Sequence, residues 1–292
     1  MYSVGTRVSL RYRLPESPAE AFTDVVGHLE ALAPAVVVRT KSGERVEISS
    51  ADVMSVRELS HAPVRNSQIR ALEHAAALAW PGTEQRWLEG WLLRAGGGAT
   101  MRANSAVPLL FSSDLTALPA IVDWYAERGL PPWLALPERL LPVRDAGTQP
   151  IRVLTTELTA TSGPELPSSP GDRWRQIYRR EVPVEVLTAV VDGEVAFATV
   201  ADAAVGRVAV TTAPDGTRWA GLSAVRALDD QRRQGHGRAV CDTLLAWAAA
   251  HGATHAYVQV ADENAPATAL YESMGFRLHH RARYVRADSL LR

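Results

Sequence analysis

The stretch Gln231-Arg232-Arg233-Gln234-Gly235-His236-Gly237-Arg238-Ala239 constrains the fold more than any other part of the chain. Before it lies an extended apolar run, 219–227; after it, Val240, Leu244 and Trp247 recur at helical spacing, with His251 and Gly252 closing the helix. The junction therefore reads as strand, loop and helix N-terminus. Gly235 and Gly237 remove side chains, so successive backbone N–H groups can approach an anion, and the helix behind them adds its partial positive end. Arg232, Arg233 and Arg238 can meet phosphate oxygens from the side. A dinucleotide fingerprint does not fit, because Val240 stands where its third glycine would be. A Walker loop is excluded as well: Lys41 is the sole lysine among 31 basic residues, and no glycine precedes it. The loop reads as a pyrophosphate cradle built without lysine or metal.

The rest of the chain divides into three expected segments, 1–62, 63–149 and 150–292. In the first, Val8, Leu10 and Tyr12 alternate with polar residues, as do Val46 and Ile48 after the hairpin loop at 41–44. About five short strands in so short a stretch predict a small closed β-barrel resembling the Src-homology-3-like barrels. It reads either as a module for a partner or nucleic acid, or as a packing appendage. In the second segment, Ile69, Leu72, Ala76 and Ala79 share a helical face capped by Asn66 or Ser67. Strands are expected at 87–95 and 100–109 around Gly96-Gly97-Gly98, then a helix capped by Asp114. In the third, strands at 186–191 and 195–200 are expected to flank the Asp192-Gly193-Glu194 turn, with a second hairpin around Pro214-Asp215-Gly216. Asn264 should cap a last helix that ends at Gly275.

Charge and composition narrow the partners. A formal charge of −1 offers no field to attract nucleic acid or an anionic membrane. The single cysteine, Cys241, excludes a disulfide framework or a cysteine zinc cluster. No apolar run reaches the ~18 residues of a membrane span, and the first residues lack the pattern of a signal peptide. A cytoplasmic protein without a resident metal is expected.

The order of hairpin strands, Arg232-x-x-Gly235-x-Gly237, helix, buried strand at 255–260, and then Asn264 with Leu270-Tyr271-x-x-x-Gly275-Phe276 resembles the GNAT superfamily of N-acetyltransferases. The likeness covers 151–292. The whole chain also resembles actinobacterial members that join a small barrel, a middle segment and a C-terminal GNAT domain; Trp87 to Arg94 and Arg102-Ala103-Asn104-Ser105 carry that resemblance. It implies a mixed twisted sheet flanked by helices, preceded by a degenerate GNAT-like half without its own phosphate loop. It implies acetyl-CoA as co-substrate, held by Ala224, Val225, Arg226 and Ala227 on the strand, by Arg232, Arg233, Gln234, Gly235, His236, Gly237, Arg238 and Ala239 on the loop, and by Asn264. The pantetheine arm would lie between splayed strands at 219–227 and 255–260. Tyr271 would protonate the departing thiolate, and a backbone N–H near Val225 would hold the oxyanion.

No carboxylate lies on 219–227, so the base that deprotonates the amine stays open among Glu194, Asp202, Glu263, His279, His280 and a water chain. The activity implied is acetyl transfer to the amine of a small molecule or amino acid, glutamate being one family-level candidate, by a monomer or homodimer. A CoA-binding sensor without turnover, or a protein acetyltransferase that docks its target with the barrel, are the alternatives.

Overall fold

The computed structural model describes residues 2–14 and 21–291, in two compact units, Met1–Val64 and Arg65–Arg292. In the first, β1 (Arg7–Arg13), β2 (Phe22–Ala31), β3 (Ala35–Thr40), β4 (Arg45–Ser49) and β5 (Val53–Glu58) form an antiparallel sheet in the order β4-β3-β2-β1-β5. The period-two pattern turns Val8 and Leu10 inward onto Leu29, Val38 and Ile48.

The second unit is built on a ten-stranded sheet. Its first half runs α1 (Asn66–Ala79), β6 (Glu84–Leu88), β7 (Trp91–Ala95), β8 (Ser105–Pro108), α2 (Leu118–Ala126) and β9 (Trp133–Pro137). After β10 (Thr148–Glu157) come α3 (Asp172–Tyr178), α4 (Val184–Thr188), β11 (Glu194–Val200), β12 (Ala204–Thr212), β13 (Arg218–Ala227), α5 (His236–Ala250), β14 (His255–Ala261), α6 (Ala265–Ser273) and β15 (Arg277–Arg286). The strand order is β11-β12-β13-β14-β10-β15-β9-β8-β7-β6. The succession helix, three antiparallel strands, helix, parallel strand thus occurs twice, with β8 parallel to β9 and β13 parallel to β14. Among the described residues no helix is long and apolar enough to cross a membrane.

The two faces of the sheet are covered by different helices. On one, α5 packs Val240, Leu244 and Trp247 against Ala220, Leu222, Val258 and Val260. On the other, Leu72, Ala75 and Ala76 of α1 cover Val153, Trp219 and Tyr257. A helix of the first half thereby roofs the strands of the second. Ile69 and Leu72 are fully buried, each burial contributing roughly 1.5–3 kcal/mol.

Several expected elements differ. Residues 186–191 are not a strand: Val184–Thr188 is helical, entered from Pro183, because this buries Val186 and Leu187 against Phe197 and Val205. Packing here overrides the strand preference of a valine-rich run. The run 87–95 is broken at Glu89 (φ 46°) and Gly90 (φ 88°) into the hairpin β6–β7. Both central residues are left-handed, the geometry that matches strand twist in a two-residue loop. Only Ser105–Pro108 of 100–109 is a strand; ahead of it, Asn104 Oδ1 accepts from Gly96 N and Gly98 N and folds 96–104 into a loop. Arg65, not Asn66 or Ser67, occupies the N-cap of α1. Asn264 and Gly275 stand as expected at the ends of α6, the former accepting from Ala267 N, the latter left-handed at φ 88°.

Candidate functional site

The parallel ladder between β13 and β14 runs from Trp219↔His255 to Leu222↔Val258 and ends there. Both strands continue beyond it, β13 held to β12 out to Ala227 and β14 held to β10 out to Ala261. The two central strands therefore diverge. The cause is local: between Val205↔Arg226 and Arg207↔Ser223, β13 carries one residue more than β12, and Ala224 takes a left-handed φ of 53°. A bulge of this kind bends the strand and raises its twist. Ser223 to Ala227, all half-buried, line the open edge. Deeper in the sheet the strands are pinned together, because a Cβ on Gly221 would lie 2.2 Å from the Tyr257 hydroxyl. Only glycine lets that ring cross the ladder.

At the mouth of the divergence stands the arginine–glycine loop. After a 3-10 turn at Asp229–Gln231, Arg233 (φ 62°) and Gly235 (φ 85°) are both left-handed, and Gly235 is the N-cap of α5. Left-handed residues in such a turn help aim successive N–H groups to one side, forming an anion-binding concavity. Arg232, Arg233, Gln234, Gly235 and Arg238 are exposed. Arg232 pairs with Asp229 at 2.6 Å, and Arg238 donates to Ser273 Oγ at 2.7 Å. The two glycines of the loop differ in what they do. Gly237 does not hold special backbone angles; it lies in the first turn of α5, where a Cβ would meet only Leu270 at 3.6 Å. The conformational demand falls on Gly235, which has open space on every side.

The other expected residues divide. Arg226 Nη1 donates to the Tyr178 carbonyl at 3.3 Å, and the side chain of Asn264 is engaged as the cap of α6. Tyr271 is buried on the α5 face in ring contact with Phe276, in the same core cluster as the Cys241 thiol. Burial, reinforced by that thiol, pushes the phenol well above its usual range; burial also lifts Cys241 to about 12. Among the base candidates, Glu194 is exposed and faces Arg218 at 3.6 Å and His251 at 3.7 Å. Asp202 is exposed beside Arg173, and Glu263 is exposed. His280 alone is fully buried, with Nε2 2.9 Å from Glu73 Oε1. Glu73 was not singled out from the sequence. Its signal was present: a carboxylate set among Ile69, Leu72 and Ala76 on the apolar stripe of α1.

Two family profiles match the chain. One, described as "Probable histone acetyltransferase Rv0428c C-terminal", covers residues 66–285; the other, "Rv0428c N-terminal Sm-like domain", covers 2–57. The chain is 50% identical over 294 residues to the protein named "Probable histone acetyltransferase Rv0428c" of Mycobacterium tuberculosis, which spans 98% of this chain and 96% of the relative. It is 26% identical to the "Uncharacterized N-acetyltransferase YobR" of Bacillus subtilis over 71% of this chain and 94% of that one. A solved GCN5-related N-acetyltransferase from Kribbella flavida superposes with a TM-score of 0.48 at 18% identity, covering 76% of this chain and 95% of that structure.

Proposed function

The chain belongs to the Rv0428c-type family of GNAT acetyltransferases, an Sm-like domain followed by the acetyltransferase domain, and we propose that it transfers acetyl from acetyl-CoA to the amine of a small molecule or amino acid. The observation that supports this reading most is the divergence of β13 from β14 immediately before a left-handed loop at a helix N-terminus. The open edge of Ser223 to Ala227 offers strand-like hydrogen bonds to an extended amide chain, and the exposed arginines with the N–H groups of 235–238 suit a pyrophosphate. The residues thus fit the co-substrate on two counts, shape and charge.

Acetyl-CoA supplies an activated thioester. Arg232, Arg233, Gly235 and Arg238 hold its phosphates; Ala224 to Ala227 align its arm. The backbone N–H at Val225, beyond the bulge, steadies the negative charge that develops on the acetyl oxygen. Tyr271 supplies the proton that the sulfur takes on leaving.

The name of the mycobacterial relative favours a second reading, a basic protein as acceptor. One experiment separates the two and also tests for a silent sensor. Purified protein is incubated with acetyl-CoA and, in turn, amino acids, their amides, polyamines and a lysine-rich peptide, while free thiol and acetylated product are followed. Thiol release that needs a small amine supports the proposal. Release with the peptide alone moves the assignment to a protein substrate, and CoA binding without release to any amine makes the chain a sensor.

Replacing Gly235 by valine is expected to weaken acetyl-CoA binding about 10- to 100-fold by calorimetry. A β-branched residue forced to φ 85° costs roughly 1–3 kcal/mol, and it relaxes by turning the N–H groups away. The melting temperature should fall by only a few degrees, because the position is exposed and no packing is lost with the glycine. Unchanged affinity would remove the loop from the co-substrate site.

A further inference from the structure

The bulge that parts β13 from β14 also changes which side chains share a face. On a regular strand, residues 223 and 226 would point to opposite sides of the sheet. Here Ser223 lies opposite Arg207 and Arg226 opposite Val205, two positions of β12 that alternate back to the same side. Ser223 and Arg226 therefore project together, roughly 7 Å apart at two residues of strand rise. Their side is the one away from α5. Arg207, whose Nη1 donates to Ser223 Oγ at 3.3 Å, also reaches the carbonyls of Ala79 and Leu187, and Val205 packs with Tyr178 and Leu187. Val225 faces the other way and packs into the α5 core.

Packing explains neither polar side chain. Both are half-buried on the open edge. Arg226 makes one hydrogen bond among the described residues, from Nη1 to the carbonyl of Tyr178 at the end of α3, and at 3.3 Å it is a long one. Most of the five N–H donors of this guanidinium are left unused. Ser223 Oγ accepts from Arg207, and its own hydroxyl proton has no acceptor among the described residues. Two sets of free donors thus sit on one face, beside the strand divergence.

The surrounding charge has one sign. Burial raises the Tyr178 phenol, and the charges that act against it are those of Arg180, Arg102, Arg207 and Arg226. Arg180 is exposed on the segment that follows α3. Asp229, just beyond the edge, is paired with Arg232 at 2.6 Å and faces Arg179 at 3.9 Å. Donors set in a cationic field recognise a carboxylate, and the same field repels a polyamine or a lysine-rich tail.

We propose that Ser223 and Arg226 form the acceptor's carboxylate clamp and that the acceptor is a free α-amino acid. The assignment rests on the acetyl-transfer reading above and names its substrate class. The N–H that reading gives to the acetyl oxygen belongs to Val225, between the two clamp residues in the chain. An α-amine and its carboxylate share one carbon, so a carboxylate held by Ser223 and Arg226 sets the amine beside that acetyl group. A lysine side chain within a protein carries no carboxylate near its amine and gains nothing from the clamp.

The test uses the full chain saturated with acetyl-CoA. Alanine, leucine, glutamate and arginine are supplied, each beside its α-carboxamide, with a lysine-rich peptide as a further acceptor, and thiol release is followed. At least one acid should be used with kcat/KM about 10- to 100-fold above that of its amide. Arg226→Met should bring this preference within about threefold of unity, chiefly by raising KM for the acid. Arg226→Lys, which keeps the charge without the planar fork, should recover part of it. Ser223→Ala should lower the preference about 3- to 10-fold. Calorimetry shows which ligand the Arg226 side chain serves: acetyl-CoA affinity within about threefold of wild type is expected, because the backbone of this edge aligns the arm. A loss of acetyl-CoA affinity that accounts for the lost turnover hands Arg226 to the co-substrate and overturns the clamp. An undiminished preference in both Arg226→Met and Ser223→Ala overturns it, as does a wild type that acetylates amines or the peptide without favouring any acid over its amide. Wild type that binds acetyl-CoA yet acetylates no acceptor sinks the acetyl-transfer reading itself, and this assignment with it.

Discussion

Replacing Tyr271 by phenylalanine is expected to lower kcat about 10²- to 10⁴-fold while the affinity for acetyl-CoA stays within about twofold. The ring's packing against Phe276 survives, and only the hydroxyl is lost. A phenol raised this far is a poor acid in isolation. The proposed role therefore requires the sulfur to leave within reach of that hydroxyl, where burial disfavours its thiolate as it disfavours the phenolate. Measuring kcat and KM separately distinguishes proton donation from co-substrate binding. Full turnover in the variant would make Tyr271 a packing residue and hand the proton to a water.

The largest effect on stability is expected at Arg207. This residue of β12 is 1% exposed, and its guanidinium donates to the carbonyls of Leu187 at 2.6 Å, Ala79 at 2.8 Å and Ala189 at 3.0 Å. Ala79 ends α1, and Leu187 and Ala189 flank the end of α4, where carbonyls have no helical partner. One cation thus satisfies the C-terminal ends of two helices, where the helix dipole also favours positive charge. It reaches Ser223 Oγ on the open edge of β13 as well, at 3.3 Å. Arg207→Ala leaves these carbonyls buried and unpaired, a loss of about 3–5 kcal/mol by analogy with broken buried pairs. In a unit of this size that lowers the melting temperature by roughly 10 °C. Denaturant unfolding within about 1 kcal/mol of wild type would show that water replaces the guanidinium there.

The barrel strands, the 214–216 hairpin, the cap at Asn264 and the loop of 231–239 could all be read from residues adjacent in the chain. Each depends on local physics: alternation decides which face is apolar, a side-chain oxygen caps its own helix, and glycines set the backbone next to them. The loop is the clearest case, since the left-handed turn and the helix end that suit an anion lie within a few residues of each other. Even there, only the folded backbone decides which glycine carries the strain, because Gly235 and Gly237 differ only in which side of the helix start they occupy.

What tertiary structure alone decided depends on long-range packing. Residues 184–188 carry strand-prone valines and become a helix because the sheet offers Phe197 and Val205 to cover. Glu73 and His280 are separated by 207 positions and meet only because α1 lies over β12 to β15. The ladder of β13 and β14 stops at Val258, and that stop follows from a bulge on β13. The loop proposed for the co-substrate was legible because phosphate recognition uses consecutive backbone groups. The buried pair of Glu73 and His280 was not, because it is assembled from separate elements, and no stretch of sequence encodes the burial that brings them together.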